Sequence, residues 1–279
     1  MDGAVWGVAP RAQSLAQALP PAAAMPGADR IEIKDLSIHY GRQLVVDRLS
    51  LTLAARGVTA LIGPSGCGKS SVLCSMNRLT DLIPRCRVSG SVRYSWLDND
   101  RLARDAMLLR RHVGMLFQRP NPFPFSIWRN LVFALQQHGV RDRDELAARG
   151  EAALREVGLW SEVNGRLNEP ALALSGGQQQ RLCLARALAL DPSVLLMDEP
   201  CSALDPMSTQ TIEALMMRLA EHRTIVLVTH SLAQARRVAD HVALLWKIDG
   251  AGRLVEHGPT DEVFTQPRHE LTRSYLQFG

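Results

Sequence analysis

The sequence predicts an α/β fold: a parallel-type sheet covered by helices on both faces. Two observations predict it. Short apolar stretches bounded by turn residues alternate with helical patterns over most of the chain, as strand–helix–strand units do. Polar chemistry also gathers where strands end. Residues 58–62 run straight into Gly63-Pro64-Ser65-Gly66, and residues 194–197 end in Asp198-Glu199. In an open α/β sheet the strands' carboxyl ends are where ligands bind.

Taken in order, residues 1–28 stand apart. They are rich in Ala, Pro and Gln, and from Ala4 to Gly27 carry one charge, Arg11. Gln13, Ser14, Gln17 and Pro20-Pro21 interrupt the apolar core that a secretory signal needs. The segment reads as a disordered leader, with Met25 as an alternative start. From Arg30 the pattern turns regular. Ile31, Ile33 and Leu36 alternate as a half-buried strand does, residues 44–53 alternate in part, and Gly41-Arg42 suits the turn between them. After the strand at 58–62 come a helix from Lys69 to about Leu79, mostly helical sequence over 126–158 broken at Gly139, and a helix over 178–190 closed by Asp191-Pro192. Strands at 194–197, 225–229 and 242–246 alternate with helices at 207–221 and 232–239. Residues 247–252 read as a short hairpin insertion.

Length and composition exclude several classes. The chain has 279 residues, 46% apolar and 22% charged, close to an ordinary globular protein and ample for a core. No apolar run exceeds five residues, whereas a spanning helix needs about 20. The net charge of +4 permits anionic ligands without demanding nucleic acid. The cysteines, Cys67, Cys74, Cys86, Cys183 and Cys201, are odd in number and scattered, which suits a reducing compartment.

The chemistry starts at Gly63-Pro64-Ser65-Gly66-Cys67-Gly68-Lys69-Ser70, which fits GxxxxGK[ST] between a strand and a helix. Glycines let successive backbone N–H groups curl around phosphate oxygens, and the helix aims its positive end at the same anion. Lys69 adds a full charge near the β- and γ-phosphates, and the Ser70 hydroxyl can ligate Mg²⁺. Cys67 reads as a tolerated small residue rather than a reactive thiol. Asp198 can hold Mg²⁺ through water, and Glu199 can accept a proton from attacking water. A second anion-receptive helix start follows at Ser175-Gly176-Gly177-Gln178. Two such sites for one nucleotide make sense when the second serves another copy's nucleotide.

With these motifs in this order, residues 31–279 resemble the ATP-binding-cassette family. The resemblance implies a P-loop NTPase (RecA-like) core, an N-terminal β-rich subdomain that holds Tyr40, and an inserted α-helical subdomain over about 120–175, the whole occupying 29–279. It makes Tyr40 the adenine-stacking aromatic, Gln118 a hinge residue and Mg²⁺ ligand, and His230 the γ-phosphate contact. Ser71 joins the phosphate loop, and Asp205, in Ser202-Ala203-Leu204-Asp205, joins the nucleotide site. ATP and Mg²⁺ are the implied ligands. The partners implied are a second copy, head to tail, two integral membrane permease subunits and, indirectly, an external binding protein, with no nucleic acid. The implied location is the cytoplasmic face of the membrane.

Within the family, residues 117–124, Asn77-Arg78-Leu79, the glutamines 178–180 and residues 197–205 resemble the phosphate-import branch. Ser71 and Ser231 depart from its common wording, and residues 95–107 read as shortened. An importer of another anion and a soluble, non-transport cassette ATPase are the alternatives.

Overall fold

The computed structural model describes residues 29–278, and the leader expected over 1–28 lies outside them. Among the described residues, nine strands share one sheet. In chain order they are β1 (Arg30–Tyr40), β2 (Gln43–Ala54), β3 (Gly57–Ile62), β4 (Cys86–Tyr94), β5 (Val113–Leu116), β6 (Val194–Asp198), β7 (Thr224–Val228), β8 (His241–Ile248) and β9 (Ala251–Pro259). The order across the sheet is β4-β1-β2-β9-β8-β3-β7-β6-β5. From β8 to β5 all pairings are parallel, while β4-β1-β2 and β8-β9 are antiparallel. The expected parallel-type sheet is thus one half of a mixed one. The reason is connection length. Tight turns at Gly41-Arg42 and Asp249-Gly250 permit only antiparallel return for β1–β2 and β8–β9, whereas β5, β6, β7 and β8 follow one another through helices.

The segment 247–252 is therefore no appendage. It is the turn of the β8–β9 hairpin, with Asp249 and Gly250 at φ 50° and 87°. β9 then pairs with β2 at Val46↔Gly252 and joins the two halves. The strands β4, β5 and β9 received no assignment from the sequence pattern. β4 is largely solvent-exposed and so lacks a strand's apolar alternation.

Helices α1 (Lys69–Met76), α2 (Asn99–Arg104), α3 (Ala106–His112), α4 (Ile127–Gln137), α5 (Arg143–Glu156), α6 (Trp160–Val163), α7 (Gly176–Leu188), α8 (Pro206–Ala220), α9 (Leu232–Val238), α10 (Thr260–Thr265) and α11 (Glu270–Phe278) complete the chain. α1 stops before the expected Leu79 because Arg78 enters the left-handed region at φ 58° and starts a 3₁₀ turn. α7 begins two residues earlier than its apolar period suggests, because Ser175 and Gln178 form a capping box over the two glycines.

Strand alternation splits the core in two. Ala60, Ile62, Leu195, Met197 and Leu227 join one cluster, together with α4, α5, α7 and α8. Their neighbours Leu61, Leu196, Val226 and Val228 join the other, together with α1 and β1. Successive side chains point to opposite faces, so a sheet covered on both faces needs continuous apolar runs. β7, buried at every position, is such a run.

Candidate functional site

The cleft forms where β3, β5, β6 and β7 end. β3 leads into the phosphate loop. Gly63 sits at φ 136°, and a Cβ there would lie 2.1 Å from the Leu245 carbonyl oxygen, so only glycine passes. Gly68, at φ 95°, starts α1. Lys69 is 6% exposed. Its ammonium donates to the Gly63 and Pro64 carbonyls at 2.8 and 2.9 Å. Cys67 Sγ is buried in the core beneath the loop, and burial pushes its thiol pKa up. Only the backbone of Cys67 is left to face a phosphate.

β6 delivers the two carboxylates. Asp198 accepts from Ser70 Oγ at 2.8 Å. Burial raises its pKa, outweighing the hydrogen bond from Ser70. Glu199 stands at φ 45°, a left-handed conformation that costs a non-glycine residue of order 1–3 kcal/mol. Its N–H donates to the Val228 carbonyl at 2.8 Å. Glu199 Oε2 accepts from Gln118 Nε2 at 2.9 Å, and Oε1 lies 3.1 Å from His230 Nδ1. Residues from the ends of three strands thus converge on one carboxylate.

The cleft has a volume of about 510 Å³. Ser65, Gly66, Gly68, Lys69, Ser70, Ser71, Gln118, Glu199 and His230 line it. Val45 of β2 lines it too, a residue that sequence reasoning missed because nothing in an apolar strand position marks it. Gly63 and Pro64 take part through the carbonyls that hold Lys69. Tyr40 ends β1 beside the cleft, and its hydroxyl donates to Ser71 Oγ at 3.2 Å. Ser71 is thus tied to Tyr40, and Ser231 caps α9 by accepting from Gln234 N at 3.2 Å. Both departures in wording have structural employment.

The second motif stands apart from this cleft. Ser175 caps α7, accepting from Gln178 N at 3.3 Å while Gln178 Oε1 accepts from Ser175 N at 3.0 Å. Ser175 and Gly176 are exposed. A Cβ on Gly177 would come 2.4 Å from Ser208 Oγ on α8. Asp205 caps α8 through Met207 N and Ser208 N, both at 3.0 Å. The Ser208 hydroxyl, donating to it at 2.6 Å, holds its carboxyl below the ordinary range. None of Ser175, Gly176, Gly177, Gln178 and Asp205 lines their own chain's cleft. Sequence reasoning also missed Glu162, which accepts from Gln178 Nε2 at 2.8 Å and pairs with Arg181 at 2.7 Å. Only the fold brings α6 against α7.

The donor set suits Mg²⁺ and a polyphosphate. Ser70 and Asp198 offer hard oxygen ligands, and the loop offers N–H groups and an ammonium whose hydrogen bonds go to neutral groups. An Asp198→Asn variant tests this arrangement. A carboxyl with a raised folded pKa stabilises the fold at low pH and loses that contribution as pH rises through the folded value. The variant should therefore melt higher than the parent at neutral pH, with the gain shrinking as pH falls into the acid range, while Mg²⁺-dependent turnover collapses. Melting scans across pH without nucleotide, beside turnover assays, check both halves.

This fold and cleft define a nucleotide-binding P-loop domain. Residues 46–202 match the ABC transporter family, and the chain belongs to that family. It is 52% identical, over 88% of its length and 89% of the relative's, to the phosphate import ATP-binding protein PstB 1 of Nitrosococcus oceani. Among solved structures it resembles cbiO1 from Clostridium perfringens, part of the ABC transporter complex cbiONQ, with a TM-score of 0.72 and 26% identity over 86% of this chain and 92% of that one. It also resembles a bacterial Atm1-family ABC exporter with ATP bound, at a TM-score of 0.72 and 25% identity, covering 92% of this chain and 42% of that one.

Proposed function

We infer that this chain is the ATP-hydrolysing subunit of an importer for inorganic phosphate. The observation that carries the reading is its 52% identity, over nearly the whole chain, to a phosphate import ATP-binding protein. In this reading the phosphate loop, Gly63 to Ser71, wraps the phosphates of ATP, and Tyr40 stacks on adenine. Ser70, Asp198 and Gln118 hold Mg²⁺, which when bound neutralises phosphate charge. Glu199 takes the proton from the attacking water, with His230 and Gln118 fixing its carboxylate. The exposed start of α7, with Asp205 nearby, serves the nucleotide of a second copy packed head to tail. The γ-phosphate then joins two N–H-rich surfaces, and its hydrolysis releases them.

No helix among the described residues is long and apolar enough to cross a membrane. In this reading separate permease subunits form the path for phosphate. Two of these, with an external phosphate-binding protein acting through them, complete the importer, and the chain works on the cytoplasmic face. The stiff segment 119–125 is suited to meet a permease. Its Phe123 and Phe125 cluster with Phe133 of α4, and Arg186 lies 4.3 Å over the Phe123 ring.

Reconstitution with the permease subunits and binding protein in vesicles tests the reading. Phosphate on the binding-protein side should raise ATP turnover severalfold and accumulate inside. Stimulation by a different anion and not by phosphate overturns the substrate and leaves the ATPase in place.

A further inference from the structure

The three successive glutamines at the start of α7 serve three purposes. Gln178 closes the capping box and donates to Glu162. Gln179 donates to the Leu174 carbonyl at 2.8 Å. Gln180 is fully buried, and its carboxamide nitrogen donates to two backbone carbonyls, Phe117 at 3.1 Å and Pro200 at 3.2 Å. Both partners are acceptors, so the amide must turn its NH₂ toward them.

Those two carbonyls adjoin the chemistry. Phe117 precedes Gln118 and Pro200 follows Glu199, and the two side chains meet at 2.9 Å. The β5–β6 ladder ends at Leu116↔Met197. Past that point the Gln180 amide ties the two chain segments together. Gln180 Oε1 is left buried without a partner, a cost that an apolar side chain of the same length would avoid. Filling space is therefore no reason to have glutamine here; supplying two donors from one atom is.

We propose that Gln180 is a positioning residue for hydrolysis. It sets the separation of Gln118 and Glu199. It rides on the same rigid helix as Ser175 and Gly177, only about 8 Å of helix rise from Ser175, and so makes that separation respond to engagement of the second copy's nucleotide. The inference rests on the reading of Glu199 as the proton acceptor in a head-to-tail dimer.

The test is a Gln180→Met variant of the full chain, which keeps length and loses both donors. Turnover should fall about 10- to 100-fold, as for small misplacements of a catalytic group, with Mg-ATP affinity unchanged within about twofold. Combined with Gln118→Ala or with Ser175→Ala, the losses should not multiply, because residues acting through one another are not additive. Wild-type turnover, weakened binding equal to the rate loss, or multiplying losses in both double variants overturn the proposal. Should circular dichroism show Gln180→Met unfolded, Gln180→Asn, which keeps the amide on a shorter stem, enters the same cycles under the same criteria. An inactive Glu199→Gln beside a fully active Gln180 variant defeats this inference alone. An active Glu199→Gln defeats the reading beneath it.

Discussion

Replacing Glu199 with glutamine should lower steady-state ATP turnover by about 10²- to 10⁴-fold, the usual range for losing a positioned general base. The geometry makes this one of the two largest effects expected. Glu199 is held in a left-handed conformation at φ 45°, strain that persists because the surroundings require it. One carboxylate oxygen accepts from Gln118 and the other faces His230. The variant keeps the size of the side chain but loses its proton affinity, and its new NH₂ opposes a donor on one side. In the proposed site nucleotide binding rests on the phosphate loop, which the change leaves alone. Mg-ATP affinity should hold within a few-fold, and the variant should accumulate as an ATP-bound dimer on sizing columns. Turnover near the wild-type rate removes Glu199 from the chemistry. Loss of binding in step with turnover would instead make its role structural.

The second large effect is expected from Lys69→Ala. The Lys69 ammonium is nearly buried, yet its hydrogen bonds go to two neutral carbonyls and the Cys67 thiol, and not to a carboxylate. Asp198 is near enough to feel its charge but takes its hydrogen bond from Ser70. A buried charge with only neutral partners is costly, and an incoming phosphate is its natural counter-charge. Charged hydrogen bonds contribute about 1.5–3 kcal/mol each, so Mg-ATP affinity should fall by about 10²-fold or more. The chain without nucleotide should melt no lower than the parent, since the change removes an unfavourable burial. Equilibrium titration with a fluorescent ATP analogue and melting scans separate the two effects. Unchanged affinity places the triphosphate elsewhere. A large drop in melting temperature would mean that the lysine holds the loop together.

Much of this was legible in the sequence because the phosphate loop is local. Its glycines, lysine and serine act within eight consecutive residues, and the strand before it and the helix after it follow from pattern alone. Lys69 and Ser70 therefore appear in the cleft where the motif puts them. The legibility weakens where function depends on meetings across the chain. Gln118 and His230 carry no local signature, and their place beside Glu199 follows from β5, β6 and β7 lying side by side. Val45 and Gln180 were invisible as site residues for the same reason. One is an ordinary apolar strand residue, and the other is one of three identical neighbours whose fates only packing separates.

By itself the sequence determined the class of chemistry, the parallel strands β3, β6, β7 and β8 with the helices between the last three, and a loop suited to phosphate, because each is written in short-range spacing and backbone preference. The tertiary structure alone decided that the sheet is mixed and continuous through β9, that Cys67 turns into the core, and that Ser175 stands away from the cleft on its own chain. It also decided that a buried amide links the ends of β5 and β6. These outcomes depend on contacts between residues far apart in the chain, which periodicity cannot encode and packing must select.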